Sequence, residues 1–342
     1  MSVITIVGAG VMGSAMSWPA GDNGHEIRLV GTHLDVDIIQ QVMDTGQHKR
    51  LGLPLPPSVK PYQLDRVEEA LIGADLLVCG VSSFGVKWFA DRILPLIPGE
   101  LPILSITKGL LSCKEAALIS FPEYYQQRFP SKRLTVAAVG GPCNARELAL
   151  RHHTEICFCS KDTMLLSWLK KTFETPYYHI RPTTDVWGLE CAVAMKNAYA
   201  LGVSLCTGLT ERDYGPGVDQ LHANPRAALF GQSLREMTLL MKLLGGELDS
   251  LYYGAGDLYG AIGAGRSGKV GVLIGKGFTL QEAQAALGGE TLESIVIVQS
   301  AAVGVRKLME QGRIAAGDFP LLLHLDDVLH GKAPADIPWE KF

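Results

Sequence analysis

Residues 2–13, Ser-Val-Ile-Thr-Ile-Val-Gly-Ala-Gly-Val-Met-Gly, decide the fold of this chain. A short β-branched run, Val3 to Val7, leads into a G-x-G-x-x-G pattern. A helical stretch then extends to about Asp22, and Glu26 to Val30 has the composition of a second strand. Strand, glycine loop, helix and strand within about thirty residues form the unit that binds dinucleotides in doubly wound proteins.

Each glycine of this loop has a physical role. Gly8 permits the tight turn, Gly10 lets the backbone approach a pyrophosphate, and Gly13 lets the helix pack on the sheet. The helix N-terminus at Val11 and Met12 offers N–H groups and a partial positive charge to the phosphates. These five residues are predicted to bind a dinucleotide; a glycine turn that only packs a helix is the alternative.

The end of the second strand bears on the choice of cofactor. A carboxylate there commonly binds the ribose 2′-hydroxyl of NAD. This chain has Gly31-Thr32-His33 at that point and no acid. Thr32 is predicted to lie beside the cofactor, and NAD and NADP both remain open.

Further apolar runs predict more strands. They show little alternation, which is typical of strands covered on both faces, and they span Asp75–Val81, Pro102–Thr107, Leu134–Val139 and Glu155–Cys159. Their alternation with helical patterns predicts a parallel, doubly wound sheet. The proline-rich segment 54–61 is interpreted as an irregular loop.

Ligand groups gather beyond the C-terminal ends of such strands. Three loops fall there, and they contain Phe84, Lys108 and the segment 140–145. Lys108 follows a buried-looking strand and precedes a glycine, which favours a role at the cofactor edge over a plain surface lysine.

The second half of the chain has a different character. After Asp185 the strand-like runs stop and long helical patterns begin. We therefore expect an N-terminal Rossmann-type, doubly wound parallel sheet over 1–184 and an all-α C-terminal domain over 185–342. A chain of 342 residues is long enough for two cores.

A single charge stands out in the helical half. The run 191–210 carries only Lys196, followed directly by Asn197. Loss of water disfavours an ammonium group, so such a lysine needs an anionic partner or exchanges a proton. Asp257 is the only acid between Asp249 and Glu282, which makes it the expected partner.

Two further features of this half lead to predictions. Asn224 and Pro225 are typical of a helix start. The charged residues Arg226, Arg235 and Glu236 are expected on that helix's polar face. The small-residue tract 260–271 contains Arg266 and Ser267, which favours binding of an anion by backbone N–H groups and arginine. A flexible surface loop is the alternative.

Composition excludes several function classes. The net charge is −4 and no basic stripe is present, so nucleic acid is not an expected partner, while a small anionic ligand remains possible. The seven cysteines form no C-x-x-C pair and the histidines lack ligand spacing, so no metal site is predicted. Reduced thiols favour a cytoplasmic location. Lys196 and the glycines within 191–210 argue for a buried helix and against a membrane span.

In sequence order, several segments resemble the soluble NAD(P)-dependent glycerol-3-phosphate dehydrogenases. The matching pieces are GAGVMG (8–13), ITKGL (106–110), GGPCNARELA (140–149), AMKNAYALG (194–202), NPRAALFGQSLREM (224–237), GAGDL (254–258), GRSGKVG (265–271) and GKGFTLQEA (275–283). Each piece is a weak signal, but the ordered set covers most of the chain and is specific.

The resemblance implies residue roles. Lys196 becomes the residue that transfers the proton, Asp257 its neighbour, and Lys108 a contact of substrate and nicotinamide. The implied substrate contacts are Lys108, Gly141, Cys143, Lys196, Asn197, Asp257, Arg266 and Ser267. The implied cofactor contacts are Lys108, Ala145, Arg266, Thr291, Leu292 and Glu293.

The implied reaction is the interconversion of sn-glycerol 3-phosphate and dihydroxyacetone phosphate by hydride transfer to or from the nicotinamide of NAD or NADP, in a cytoplasmic homodimer. The departures from the family fall at the substrate end: Gly265-Arg266-Ser267 replaces Ser-Arg-Asn, and Cys143 replaces serine or threonine. They leave open a different phosphorylated polyol or a hydroxy acid as substrate. A non-catalytic redox sensor is a second alternative, although a sensor has no need of Lys196 and Asp257.

Overall fold

The computed structural model describes residues 1–97, 100–111, 118–217, 223–262, 265–288, 292–315 and 317–342. The strands are β1 Val3–Val7, β2 Glu26–Val30, β3 Gln47–His48, β4 Leu53–Pro54, β5 Val59–Tyr62, β6 Leu76–Cys79, β7 Ile103–Ser105, β8 Leu110–Leu111, β9 Ile119–Ser120, β10 Val136–Gly140, β11 Thr154–Cys159 and β12 Tyr178–Thr183. The helices are α1 Val11–Ala15, α2 Ser17–Asp22, α3 Val36–Thr45, α4 Val67–Leu71, α5 Val86–Arg92, α6 Phe121–Arg128, α7 Ala145–Ala149, α8 Thr163–Phe173, α9 Val186–Tyr214, α10 Ala223–Leu243, α11 Leu251–Ala261, α12 Arg266–Gly275, α13 Leu280–Ala286, α14 Glu293–Glu310 and α15 Pro320–Leu329.

The chain divides into two compact units, which are Met1–Lys108 with Phe121–Val186, and Gly109–Ser120 with Trp187–Phe342. The segment from Gly109 to Ser120, which the sequence placed in the N-terminal domain, belongs to the second unit. Its β8–β9 hairpin contributes Leu110 and Leu118 to that unit's apolar core, and β8 contacts α14. Burial of these leucines explains the assignment.

The first unit is built on one eight-stranded sheet in the order β12-β11-β10-β7-β6-β1-β2-β5. Six neighbouring strands of this sheet are parallel to one another: β5, β2, β1, β6, β7 and β10. Their order is the doubly wound one, with the switch point between β1 and β6. The prediction of a Rossmann-type sheet is confirmed.

The sheet differs from the prediction in two places. β11 runs antiparallel to β10, because α7 has only five residues, about 8 Å, and cannot return the chain along a strand of about 16 Å. The proline-rich segment is not wholly irregular, since Val59–Tyr62 forms β5 at the sheet edge. An edge tolerates Pro61, which has no N–H to donate to a neighbouring strand.

The second unit packs helices around α9, a helix of 29 residues. Three glycines bring α9 and α12 into backbone contact. A Cβ added at Gly271 would lie 2.1 Å from the carbonyl oxygen of Leu201, and one added at Gly275 would lie 2.2 Å from that of Leu205. On α9, a Cβ at Gly208 would lie 2.1 Å from Val272 O. Only glycine permits so close an approach.

α10 departs from the sequence prediction at two points. It begins at Ala223, so Asn224 and Pro225 lie within the helix and Asn224 is not its N-cap. Glu236, predicted on the polar face, is 1% exposed. Its carboxylate accepts hydrogen bonds from Tyr199 Oη, Gln232 Nε2 and the backbone N–H groups of Leu321 and Leu322. The buried glutamate therefore caps α15 and ties it to α9 and α10.

Within the described ranges, no helix combines the length and apolarity needed to cross a membrane.

Candidate functional site

The glycine loop of the first unit has the shape of a phosphate cradle. Gly8 has φ +114°, and a Cβ there would lie 2.6 Å from the backbone of Gly80. A Cβ at Gly13 would lie 2.1 Å from Gly8 O, so this glycine packs the helix on the turn. Gly10 differs, because a Cβ there would meet no atom within 4 Å. The open space at Gly10, with Val11 and Met12 starting the helix, fits a pyrophosphate.

Thr32 lies beside the loop and is buried. Its N–H and hydroxyl both donate to Asp35 Oδ2, at 2.9 and 2.7 Å, and the same oxygen accepts the N–H of Ala9 at 3.2 Å. No acid stands at Thr32, just past the end of β2, but Asp35 lies three residues further along the chain. Its Oδ2 binds the protein's own backbone and Thr32.

A cavity of about 920 Å³ opens next to this end of β2. Among the residues that line it are His33, Val36, Leu64 and Trp88, and the rings of His33 and Trp88 are 5.6 Å apart. An apolar and aromatic wall of this kind suits a flat heteroaromatic ring. On the next loop, Phe84 is a half-exposed residue of a 3₁₀ turn after β6.

Lys108 and Gly141 come together past β7 and β10. Lys108 Nζ donates to the carbonyl oxygen of Gly141 at 2.7 Å. Gly141 has φ +116°, a conformation that favours glycine. Cys143 is partly buried, and Ala145 is the first residue of α7, whose N-cap Asn144 accepts two backbone N–H groups. The structure therefore joins two of the predicted substrate residues, Lys108 and Gly141, in one direct contact.

In the second unit, Lys196 and Asp257 form an ion pair. Lys196 Nζ donates to Asp257 Oδ1 at 2.7 Å, and the side chains are only 16% and 6% exposed. α9 supplies the lysine and α11 the aspartate. Gly254 allows this approach of the two helices, since a Cβ there would lie 2.7 Å from Ala192 Cβ. A partly buried ammonium with a carboxylate at hydrogen-bond distance can hold and move a proton.

The next residue on α9 connects to the anion-binding prediction. Ser267 Oγ donates to Asn197 Oδ1 at 3.4 Å. Arg266 and Ser267 are the first two residues of α12, whose N-cap Gly265 makes no side-chain hydrogen bond to the helix. Arg266 is exposed and Ser267 is buried. The start of α12 thus combines a positive helix end with an arginine, which suits a phosphate.

The remaining predicted cofactor residues start α14. Leu292 is the buried N-cap and Glu293 the first helical residue. Thr291 lies outside the described residues. Among those described, no group of three or more His, Cys, Asp or Glu side chains is arranged to hold a metal ion.

The sequence interpretation missed three polar residues that organise these units: Asp35, His48 and Glu236. His48 is fully buried and contacts Ala9 O at 2.9 Å. Local patterns could not reveal His48 or Glu236, because their partners lie 39 and up to 86 residues away in sequence. Asp35 carried a weak signal as an acid close to the end of β2.

The family models and the curated relatives that match this sequence name one family. Residues 3–166 match the model described as NAD-dependent glycerol-3-phosphate dehydrogenase N-terminus, and residues 185–339 match the C-terminus model. The chain is 34% identical over 283 residues to an NADP(+)-dependent glycerol-3-phosphate dehydrogenase of Archaeoglobus fulgidus, covering 82% of each chain. It is 29% identical to a glycerol-3-phosphate dehydrogenase [NAD(P)+] of Koribacter versatilis, covering 98% and 95%. The crystal structure of glycerol-3-phosphate dehydrogenase from Coxiella burnetii superposes with TM-score 0.82 at 25% identity, over 98% and 96% of the two chains.

Proposed function

The chain belongs to the NAD-dependent glycerol-3-phosphate dehydrogenase family, and we propose that it interconverts sn-glycerol 3-phosphate and dihydroxyacetone phosphate with NAD or NADP. The observation that supports this most directly is the partly buried ion pair of Lys196 and Asp257 at 2.7 Å. It sits on helices of a unit that the C-terminal family model covers.

Lys196 is the proton donor in the direction of reduction. Its ammonium group hydrogen-bonds the substrate carbonyl oxygen and gives it a proton as negative charge develops there. In oxidation the neutral amine takes the proton of the substrate hydroxyl. Asp257 orients the ammonium and balances its charge. A dinucleotide held at the glycine loop would supply or accept the hydride when bound, which is chemistry that no side chain provides.

The phosphate of the substrate is held by the start of α12. Arg266 offers a planar, permanently charged donor, and the N–H groups of the first helical turn add a partial positive charge. Ser267, which follows Arg266 on α12, donates a hydrogen bond to Asn197 of α9. Lys108, held by Gly141 O, is proposed as a further substrate contact.

The roles are tested with Lys196→Ala, assayed with dihydroxyacetone phosphate and NADH or NADPH. Loss of a general acid lowers kcat by about 10³-fold, within the usual range for this kind of catalysis. Lys242→Ala, which removes an exposed lysine of α10, is the matched control and keeps full activity. A kcat for Lys196→Ala near that of the parent would reject the assignment.

A hydroxy-acid substrate and a redox sensor are the less favoured alternatives, because both family models and the curated relatives name one dehydrogenase activity. The departures at Cys143 and Ser267 still call for a substrate panel. Dihydroxyacetone phosphate, a longer phosphorylated ketose and a 2-keto acid, each with both reduced cofactors, separate the candidates. Turnover of the keto acid alone would overturn the proposed substrate.

We also infer that the protein is a homodimer. Tyr252 and Tyr259 are 74% and 80% exposed and lie seven residues apart on one face of α11. Light scattering after size exclusion is expected to give the mass of two chains, and Tyr252→Ser with Tyr259→Ser is expected to shift it towards one. A parent mass of one chain contradicts the inference.

A cytoplasmic location is the companion proposal. The six cysteines in the described ranges form no disulfide with one another, as is usual in a reducing compartment. Cell fractionation with a cytoplasmic marker tests it, and recovery with the membrane or secreted fraction argues against it.

A further inference from the structure

Two buried side chains hold the backbone of Ala9, the residue between the first two glycines of the loop, at its N–H and at its carbonyl oxygen. Ala9 lies between Gly8 and Gly10, and its N–H donates to Asp35 Oδ2 at 3.2 Å. Its carbonyl oxygen is 2.9 Å from His48 Nε2. His48 is 0% exposed and Asp35 8% exposed, so neither contact competes freely with water.

The hydrogen bonds of His48 determine its protonation. The backbone N–H of Leu51 donates to His48 Nδ1 at 3.1 Å, so Nδ1 carries no proton. The ring proton therefore sits on Nε2 and is donated to Ala9 O. A second proton on Nδ1 would place two donors against each other and break the contact with Leu51.

The surroundings also oppose a charged ring. Burial lowers the pKa of His48 below its usual range, and the nearby Arg50 acts in the same direction. The hydrogen bond to Ala9 O and, less strongly, the charge of Asp35 act in the opposite direction and favour the imidazolium. Three hydrogen-bond donors already contact Asp35 Oδ2, and they weaken the electrostatic stabilisation that this oxygen gives to a charged His48.

We propose that His48 is a positioning residue for dinucleotide binding, whose neutral Nε2 tautomer holds the carbonyl of the Ala9–Gly10 peptide so that Gly10 and the first turn of α1 face the pyrophosphate. This rests on the proposed use of NAD or NADP. It adds a residue 35 positions beyond the glycine pattern, and it makes cofactor affinity depend on the protonation of a buried imidazole. Asp35 fixes the N–H of the same residue, in the preceding peptide.

The test is the dissociation constant for NAD⁺, measured by calorimetry on the full chain at pH 7.5. NAD⁺ is used because it lacks the 2′-phosphate, a group that titrates with a pKa of about 6. His48→Gln keeps an N–H that reaches towards Ala9 O and is expected to bind within about threefold of the parent. His48→Asn can still accept from Leu51 N–H but is too short to reach Ala9, and its dissociation constant is expected to rise by about tenfold, the loss of one hydrogen bond. His153→Asn makes the same exchange at an exposed histidine and is the control.

A pH series supplies a second readout that a merely structural role does not produce. Because burial lowers the pKa of His48 below its ordinary value of 6.5, affinity of the parent for NAD⁺ is expected to fall only on the acid side of that value, while that of His48→Gln stays level. His48→Asn binding as well as the parent overturns the proposal. If that variant fails to fold, a loss of about tenfold in His48→Gln, which keeps the donor to Ala9 O, overturns it instead. A parent that binds no dinucleotide at all rejects the proposed function itself, which keeps the two failures distinct.

Discussion

Glycines do different work in the two units. In the loop of the first unit, Gly10 faces open space, with no atom within 4 Å of an added Cβ. In the second unit, Gly271 and Gly275 face the backbone of α9 at about half that distance. The first kind leaves room for a ligand, and the second lets two helices touch. A substitution at the first should weaken binding alone, whereas one at the second should disturb the position of α12 and everything at its start.

Among the glycine substitutions, the largest effect is expected from Gly271→Ala. Its methyl group would overlap the carbonyl oxygen of Leu201 and force α12 away from α9, at a cost of about 1–3 kcal/mol in unfolding free energy. Arg266 and Ser267 move with α12 relative to Lys196 and Asn197, and a shift of about 1 Å in such a site can lower activity by about 100-fold. The measurements are kcat/KM for dihydroxyacetone phosphate and the thermal midpoint.

Gly231→Ala is the matched control, because this glycine lies inside α10 with no atom within 4 Å of an added Cβ. It is expected to stabilise the protein by up to about 1 kcal/mol. Full activity in Gly271→Ala would show that α12 is not held by this contact.

Gly10→Ala sharpens the other side of the comparison. Because the added methyl meets no protein atom, the thermal midpoint should stay within about 2 °C of the parent, but the methyl fills space proposed for the pyrophosphate. The dissociation constant for NADH is expected to rise by about 30-fold, or roughly 2 kcal/mol. Gly13→Ala is the contrast, since its Cβ overlaps Gly8 O and should lower the midpoint as well. Unchanged NADH binding in Gly10→Ala would show that the glycine loop does not contact the pyrophosphate of the cofactor.

This contrast also explains what the sequence could predict. The G-x-G-x-x-G pattern begins directly after β1, so adjacent residues in the sequence were enough to predict the loop and the sheet. Lys196 and Asp257 stood out because each is an isolated charge in an apolar stretch. The packing role of Gly271 and Gly275 was not predicted: Gly271 was assigned to the small-residue tract 260–271 and Gly275 only to a matching segment, because their partner, α9, lies about seventy residues earlier.

The antiparallel direction of β11 and the burial of Glu236 could not be predicted from the sequence for the same reason. Both depend on contacts between segments that are distant in sequence, and no local pattern carries that information.

Glu236→Gln tests the buried polar network of the second unit. Four donors converge on this carboxylate, and an amide can accept through only one oxygen while turning its NH₂ towards other donors. The expected loss is about 1–3 kcal/mol of unfolding free energy, measured by urea denaturation. Glu310→Gln, an exposed acid of α14, is the control and should change little.

The same residue predicts a pH dependence of stability. Burial raises the pKa of Glu236 above its ordinary value of 4.5. Between 4.5 and that raised value the folded protein keeps a proton that the unfolded chain has released, so this contribution to stability falls as the pH rises through the window. The variant lacks the group and should show a flatter profile there. Parallel pH profiles in parent and variant would contradict the raised pKa.

The smallest effect concerns the choice between NADH and NADPH. Because Asp35 Oδ2 is bound to Ala9 and Thr32, it is not turned towards a 2′-phosphate, and the two cofactors are expected to bind within about tenfold of each other. His33→Asp places an acid in the wall of the cavity beside β2. It should raise the dissociation constant for NADPH by about tenfold, or roughly 1.4 kcal/mol, and leave that for NADH nearly unchanged. Leu34→Asp adds the same charge at the next, exposed residue and serves as the control. Equal losses for both cofactors in His33→Asp would mean that the adenosine ribose does not lie beside residue 33. The space at Gly10 would then locate the pyrophosphate of the cofactor but not its adenosine.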